Sequence, residues 1–399
     1  MKAYLRTFGC RANQYDTETT RAALLAGGVE IVDAPDDADI AIFNSCAVTA
    51  EAEADLRQGV RRAARRNPSL RTIVMGCAAA TDLGDIRALP TVTDVIAGGD
   101  VAAVTHALSL PPAVADTRAT IQTGARAQLR VQDGCDEHCT FCITTIARGA
   151  NRSRPLDDIV AEAQRLAEHH HEIVITGIHI GSYGADIGSS LGALLAELVE
   201  RVANVRFRLS SLEATEVDET LLALWNDAPD RLAPYLHAPL QSGSDRVLKR
   251  MGRHWYTAQS YADAIERIVG DRQIFGLSAD VIAGFPGESE EDHTETMALI
   301  RRLPFTALHV FPFSLRPGTP AERLFDSVPS SVITRRAAEL RELAQEKQER
   351  YRARRGGATA DIVTIGQGNR RFGVTEDYLT IPVDPAIPRG VRFRGPVPL

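Results

Sequence analysis

Short apolar runs of strand type alternate with helical periods along most of this chain, and that rhythm leaves few folds open to it. Lys2–Thr7, Ile40–Asn44, Thr72–Met75 and Val92–Ala97 read as strands, with helix-like Asp16–Ala26 and Ala50–Arg66 between them. The alternation predicts a small parallel α/β domain over residues 1–116. Residues 110–124 open on Leu-Pro-Pro and show no long period, as a linker does. The rhythm then resumes with strands at Gln128–Gln132, Glu172–Thr176, Val205–Ser210, Tyr235–Pro239, Leu277–Ile282 and Ala307–Pro312. Repeated βα units predict a partial (β/α) barrel over 125–356, with functional residues at the carboxyl ends of its strands. An Arg-rich helix over Arg335–Arg355 closes this region at Gly356 and Gly357. Short β-like runs broken by Gly and Pro then predict a small all-β domain at 357–399.

The 399 residues, 44% hydrophobic and 24% charged, suffice for two or three domains with cores and exclude a disordered chain. A net charge of -7 excludes a uniformly basic nucleic-acid binder, so any RNA site has to be a local patch. The opening MKAYLRTFGC lacks the apolar core of a signal peptide, and no apolar run is long enough to span a bilayer. The expectation is a cytoplasmic protein with no membrane partner. In that reducing compartment six cysteines are not expected to pair as disulfides, and their spacing has to explain them.

Cys135, Cys139 and Cys142 form a C-x3-C-x2-C triplet on the loop after the strand Gln128–Gln132. Three thiolates on one loop can hold three irons of a 4Fe-4S cubane and leave the fourth iron without a protein ligand. S-adenosylmethionine can chelate that iron through its amine and carboxylate, and reduction then yields a 5'-deoxyadenosyl radical. A zinc knuckle is the competing reading, but it wants a fourth ligand, and His138 sits between two of the three where the short loop cannot easily turn it inward. Cys10, Cys46 and Cys77 each end a strand of the first domain, in YLRTFGC, IAIFNSC and TIVMGC. The carboxyl ends of parallel strands line one sheet edge, so three distant thiols can meet there as a second site. Three separate buried cysteines are the alternative. His169, His170 and His171 read as a solvated helix end rather than a metal site, because adjacent helical residues do not face one another.

The blocks TFGCRANQYDTE, NSCAVTAEAE, MGC, QDGCDEHCTFC with ARGANRSR, RLSSLE, LQSGSDRVLKRMGR, DVIAGFPGESEED and HVFPFSLRPGTPA follow in order. Together they resemble the radical S-adenosylmethionine methylthiotransferases over nearly the whole chain. ITGIHIGSYG (Ile175–Gly184) with GCRANQYDTE resembles the branch acting on N6-threonylcarbamoyladenosine at position 37 of tRNA. The resemblance implies a radical SAM barrel, two 4Fe-4S clusters and two molecules of S-adenosylmethionine. One methylates a sulfur on the cluster of Cys10, Cys46 and Cys77, and the other generates the radical that activates C2 of the adenine. It also implies an RNA-binding terminal β module, a flavodoxin- or ferredoxin-type electron donor and a sulfur source. The chain departs from the family in having Ile143, Thr144, Thr145 and Ile146 where Ile-Pro-aromatic is common after the third cysteine.

Strand ends of the central region supply the expected cofactor contacts. Phe141 is placed to lie against adenine or to pack its loop, and Gly177 allows close backbone approach or a tight turn. Ser211, Glu213 and Gln241 can bond hydroxyls or the amine, or satisfy turns. Gly284 opens a Gly-Pro loop that resembles the family's cofactor loop. Arg148, Arg152 and Arg154, with Arg335, Arg336, Arg350, Arg352, Arg354 and Arg355, form either a phosphate footprint or a solvated charged face. Two other substrates are in competition, isopentenyladenosine in tRNA and an aspartate of a ribosomal protein. From a different class comes a non-catalytic iron-sulfur or zinc RNA-binding protein.

Overall fold

The computed structural model describes residues 1–398 except 48–49, 82–84, 113, 115–116 and 368–369; Asp116 and Leu399, the expected ends of the first and last domains, lie outside the described residues. The first region runs β1 (Lys2–Thr7), α1 (Arg11–Ala26), β2 (Glu30–Val32), β3 (Ile40–Ser45), α2 (Ala50–Arg66), β4 (Arg71–Gly76), α3 (Cys77–Thr81), β5 (Val92–Ala97) and α4 (Val101–Ala107). Its five strands pair in the order β2-β1-β3-β4-β5, all parallel. Every residue of β3 is buried, because helices cover both faces of a parallel sheet. Phe8, Phe43, Val60 and Val74 fill one face, and Leu24, Ile42, Ile73 and Val104 fill the other.

The central region comprises β6 (Ala127–Arg130), β7 (Gln132–Asp133), α5 (Thr144–Arg148), β8 (Arg152–Ser153), α6 (Leu156–Ala167), β9 (Glu172–Thr176), α7 (Leu191–Arg201), β10 (Arg206–Leu209), α8 (Glu219–Asp227), β11 (Tyr235–His237), α9 (Asp245–Arg250), α10 (Ala258–Val269), β12 (Gly276–Ala283), α11 (Glu290–Arg302), β13 (Ala307–Pro312) and α12 (Ser330–Arg355). β10-β9-β6 and β11-β12-β13 are parallel three-stranded sheets, joined by single bridges from Phe207 to Leu232 and from Ser211 to His237. The result is an open barrel of parallel strands in the order β6-β9-β10-β11-β12-β13. Helix starts are fixed locally: Thr257 with Ser260, and Ser289 with Asp292, form reciprocal capping boxes at α10 and α11.

Last come β14 (Thr359–Gln367), β15 (Arg370–Thr375), β16 (Thr380–Pro382) and β17 (Arg392–Pro396), an antiparallel sheet in the order β16-β15-β14-β17. The architecture is therefore the expected α/β one: a parallel sheet, a partial (β/α) barrel and a small all-β sheet. Differences are local. The strand expected over Gln128–Gln132 breaks into β6 and β7, α1 starts at Arg11 instead of Asp16, and α12 starts at Ser330, five residues before Arg335. His170 also departs from expectation, being 5% exposed and accepting the Gln122 N–H on Nε2 at 3.1 Å, while His169 and His171 are solvated. Among the described residues no helix is long and apolar enough to cross a membrane.

Candidate functional site: two cysteine sets

The triplet loop is tied off at its base. β7 and β8 pair antiparallel, Gln132 with Ser153 and Asp133 with Arg152, so residues 134–151 form a closed excursion from the barrel. Gly134 has φ +76°, and a Cβ there would stand 1.9 Å from the Ala150 carbonyl oxygen, so this crossing admits only glycine. The Cys135 N–H donates to the Gly149 carbonyl at 2.9 Å, and Thr140 N–H to that of Met251 at 2.8 Å. Each thiol has a polar neighbour: Cys135 Sγ lies 3.8 Å from His179 Nδ1, Cys139 Sγ accepts from Arg253 Nη1 at 3.5 Å, and Cys142 Sγ accepts from Thr144 N–H at 3.4 Å. Burial pushes the Cys139 thiol up to about 12 despite Arg253. As a thiolate it needs further positive charge beside it, which bound iron would supply.

The second set assembles from strand ends. Cys10 follows β1, Cys46 follows β3 and Cys77 follows β4. Gly9, at φ +111°, lies so close to Cys46 that an added Cβ would stand 2.5 Å from its Cβ, and one on Gly76 would stand 2.4 Å from the Ser45 carbonyl oxygen. Glycine therefore lets these chain ends crowd together. Cys46 and Cys77 are buried and Cys10 is exposed, so the set opens outward on one side.

α5 joins the two sets. It begins two residues after Cys142, buries Ile143 and Ala147 in the first region's core, and carries Arg148 at its last position. Arg148 Nε donates to Cys77 Sγ at 3.3 Å, and Nη2 to Asp16 at 2.8 Å. Asp16 also binds Arg130 at 2.5 Å, which locks α1 onto β6. At ~1.5 Å rise per residue the five-residue helix spans roughly 7 Å, so one short helix links the loop that carries Cys142 to the strand end that carries Cys77.

Residues 2–98 match the model described as uncharacterized protein family UPF0004, and 129–300 match the radical SAM superfamily. Curated relatives similar to nearly the full chain include the threonylcarbamoyladenosine tRNA methylthiotransferases MtaB of Bacillus subtilis (34% identical, covering 94% of this chain and 88% of the relative) and Aquifex aeolicus (34%, 96% of each). The chain belongs to the threonylcarbamoyladenosine tRNA methylthiotransferase family. It is thus a radical SAM transferase, which implies S-adenosylmethionine and a 4Fe-4S cluster. The fold is also similar to that of the radical S-adenosylmethionine methyltransferase TsrM from Kitasatospora setae, with a TM-score of 0.61 at 15% identity over 80% of this chain and 74% of that one. It resembles OxsB, a cobalamin-dependent S-adenosylmethionine radical enzyme, with a TM-score of 0.51 at 14% identity over 86% and 56%.

The residues around the methylthiotransferase loop suit such a cofactor. Glu213, in the turn after β10, is 8% exposed; one of its oxygens takes the Arg253 guanidinium, and the other, Oε2, has no hydrogen-bond partner among the described residues. A buried unpartnered acceptor beside an arginine-held thiol is where an amine or hydroxyl donor is missing. Burial holds the Glu213 carboxyl above its usual range, and Arg253 acts against that. His179 bridges Cys135 and Glu216, with Nε2 2.7 Å from Glu216 Oε1. Burial works to lower its pKa, but those two partners together raise it to about 10. Arg253, His179 and Glu216 were not singled out from the sequence, although each sits in or beside a block that carries the family resemblance.

Several expected contacts also have roles within the protein. Phe141 stands edge-on to Phe285, ring centroids 6.3 Å apart, in an apolar cluster with Val247 and Met251 that anchors the loop. Gly177 is needed because a Cβ would stand 2.8 Å from Gln132, and Gly284 because one would stand 2.4 Å from Ile333. Both glycines make room for protein. Ser211 is exposed at the β10–β11 bridge, and Gln241, at φ +62°, bridges to Val281. Three expected phosphate contacts require correction, since Arg148, Arg336 and Arg355 are all at most 5% exposed. Arg336 pairs with Glu290 at 2.7 Å, and Arg355 with Asp377 at 2.8 Å and Glu376 at 3.0 Å, so their charges are spent inside the fold. Arg154 is largely committed to Glu162, at 2.7 Å. Arg152, Arg335, Arg350, Arg352 and Arg354 are exposed. On α2, Arg61, Arg62, Arg65 and Arg66 are exposed too; their i,i+4 spacing on an expected helix is the signal that could have singled them out.

Proposed function

We propose that this enzyme adds a methylthio group to C2 of N6-threonylcarbamoyladenosine at position 37 of tRNA, in the cytoplasm. Residues 1–116, 125–356 and 357–399 serve as its auxiliary-cluster, radical and RNA-binding parts. Cys135, Cys139 and Cys142 hold the cluster that engages S-adenosylmethionine, and Cys10, Cys46 and Cys77 hold a second 4Fe-4S cluster that carries the sulfur. Bound there, the iron-sulfur groups and S-adenosylmethionine supply one-electron chemistry for a C–H bond that polar catalysis does not reach.

The chain's own residues orient and insulate. Arg253 fixes Cys139 against Glu213, whose free Oε2 accepts a donor from the cofactor. His179 offsets negative charge at Cys135, and Arg148 does the same at Cys77. Ser211 and Gln241, at adjoining strand ends, are further candidates for hydroxyl contacts. Exposed Arg152, Arg335, Arg350, Arg352 and Arg354 offer phosphate contacts. A flavodoxin- or ferredoxin-type protein delivers electrons, and a separate donor replaces the sulfur. The observation that carries this reading is α5: one short helix has Cys142 before its first turn and an arginine on Cys77 at its end.

Anaerobic reconstitution should load about eight irons, as two cubanes require. With reductant and S-adenosylmethionine, tRNA bearing threonylcarbamoyladenosine should then yield the 2-methylthio nucleoside by mass spectrometry. Product only from isopentenyladenosine tRNA, or only on a ribosomal protein aspartate, would move the substrate. Zinc in place of iron, with no cleavage of S-adenosylmethionine, would remove the enzyme.

A further inference from the structure

Arg316 lies in the loop after β13 and is 4% exposed. Its Nη1 is 3.3 Å from Glu53 Oε1, outside hydrogen-bonding geometry, and its Nε and Nη2 have no hydrogen-bond partner among the described residues. Nε and Nη2 form the side-on edge of a guanidinium, whose two parallel N–H bonds match the two oxygens of a carboxylate. Among the described buried arginines, only Arg316 leaves both atoms of that edge unpartnered. Leaving such donors buried and unmet is costly, which points to a ligand that meets them.

Its place in the fold narrows the ligand. The Arg316 carbonyl accepts from Thr319 Oγ1 at 2.7 Å, and Ala321 N–H donates to the carbonyl of Thr140, the residue after Cys139, at 2.8 Å. Glu53 belongs to the first turns of α2, which follows Cys46. Arg316 therefore lies in a segment that touches both the triplet loop, at Thr140, and the start of α2, at Glu53. A base whose C2 reacts beside the cysteine sets presents its N6 substituent to the residues that flank them. A threonylcarbamoyl substituent carries a carboxylate, and burying that anion needs a cation within hydrogen-bond reach.

We propose that Arg316 is a specificity residue that takes the carboxylate of the substrate's threonylcarbamoyl group on its Nε/Nη2 edge, with Glu53 holding the guanidinium in place. This rests on the substrate reading above. S-adenosylmethionine carries a carboxylate as well, so the test has to separate the two sources.

Reconstituted full-length enzyme is titrated with three anticodon stem-loops, bearing threonylcarbamoyladenosine, its carboxylate methyl ester or unmodified adenosine, and separately with S-adenosylmethionine. Wild type should prefer the free acid to the ester by about tenfold or more, as charge-assisted paired hydrogen bonds imply. In Arg316→Gln that ratio should fall to near one. Arg316→Lys, which keeps the charge but loses the fork, should recover only part of it and serves if the glutamine variant folds poorly. Loss of S-adenosylmethionine binding with the acid-to-ester ratio intact would assign the edge to the cofactor and overturn the proposal. Equal weakening of all three stem-loops would overturn it too. If wild type itself does not prefer the modified stem-loop to unmodified adenosine, the substrate reading fails instead.

Discussion

Cys135, Cys139 and Cys142 share one loop closed by a two-residue ribbon, whereas Cys10, Cys46 and Cys77 come from three strand ends held together by sheet packing and by glycines at two of the turns. The first arrangement is set by chain connectivity and short hydrogen bonds. The second exists only while β1, β3 and β4 stay in register, and it leans on Arg148 from the other region. A site made from one loop can tolerate strain elsewhere, while a site made from an edge inherits the stability of the whole sheet. The two sites should therefore fail differently.

The largest effect separates them outright. Cys142→Ala should lower bound iron from about eight to about four per chain and abolish reductive cleavage of S-adenosylmethionine. Cys77→Ala should show the same loss of iron, yet still release 5'-deoxyadenosine while forming no methylthio product. Iron analysis and chromatography of both products decide it. If Cys77→Ala also stops cleavage, the sites are not separable and the division of labour is wrong.

Arg148→Ala comes next and sharpens the dependence of the edge on its neighbour. Asp16 would lose the Arg148 guanidinium and keep Arg130, and Cys77 would lose the donor that offsets its burial. Because Asp16 keeps Arg130, the loss should fall below the about 3–5 kcal/mol that an uncompensated buried charge costs, and it should still lower the urea midpoint. Under chelator challenge, half the iron should leave early and the rest at the wild-type rate. Loss of all the iron in a single phase would mean that Arg148 supports both sites alike.

Legibility in the sequence followed the same divide. The triplet can be read from spacing alone, and the βα rhythm placed the parallel sheet and the open barrel because burial imposes it on every strand. The edge cysteines could be read only through that rhythm, since nothing local ties Cys10 to Cys77. Arg148 looked like a phosphate contact because its partner Asp16 lies 132 positions away on a helix face with no distinguishing pattern. Arg336 and Arg355 misled for a similar reason: α12 has many arginines, and only tertiary packing decides which of them turn inward onto Glu290 or Asp377. Arg316 lies in the block HVFPFSLRPGTPA that carries the family resemblance, but its unpartnered edge left no local sign, because that is a property of the folded surroundings.

The smallest effect concerns the segment that connects the two regions. Gln122 clamps this segment to β6 through side-chain bonds to the Gln128 backbone, 2.7 Å from N–H and 2.8 Å to carbonyl, and its own N–H donates to His170 Nε2. That bond requires a neutral imidazole. Burial lowers His170 to about 4, with His169, His171 and Arg389 adding to the shift and a hydrogen bond to Ala125 opposing it. An unfolded histidine titrates near ~6.5, so between about pH 6.5 and 4 the unfolded chain binds more protons and stability falls as pH falls. Above that window the contribution is fully present. Melting temperature should decline by a few degrees across it, with cleavage after residues 117–124 by limited proteolysis rising in step, while His170→Asn should flatten this part of the profile. An unchanged profile in His170→Asn would place the acid sensitivity elsewhere and leave the connecting segment as no more than a passive tether between the two sites.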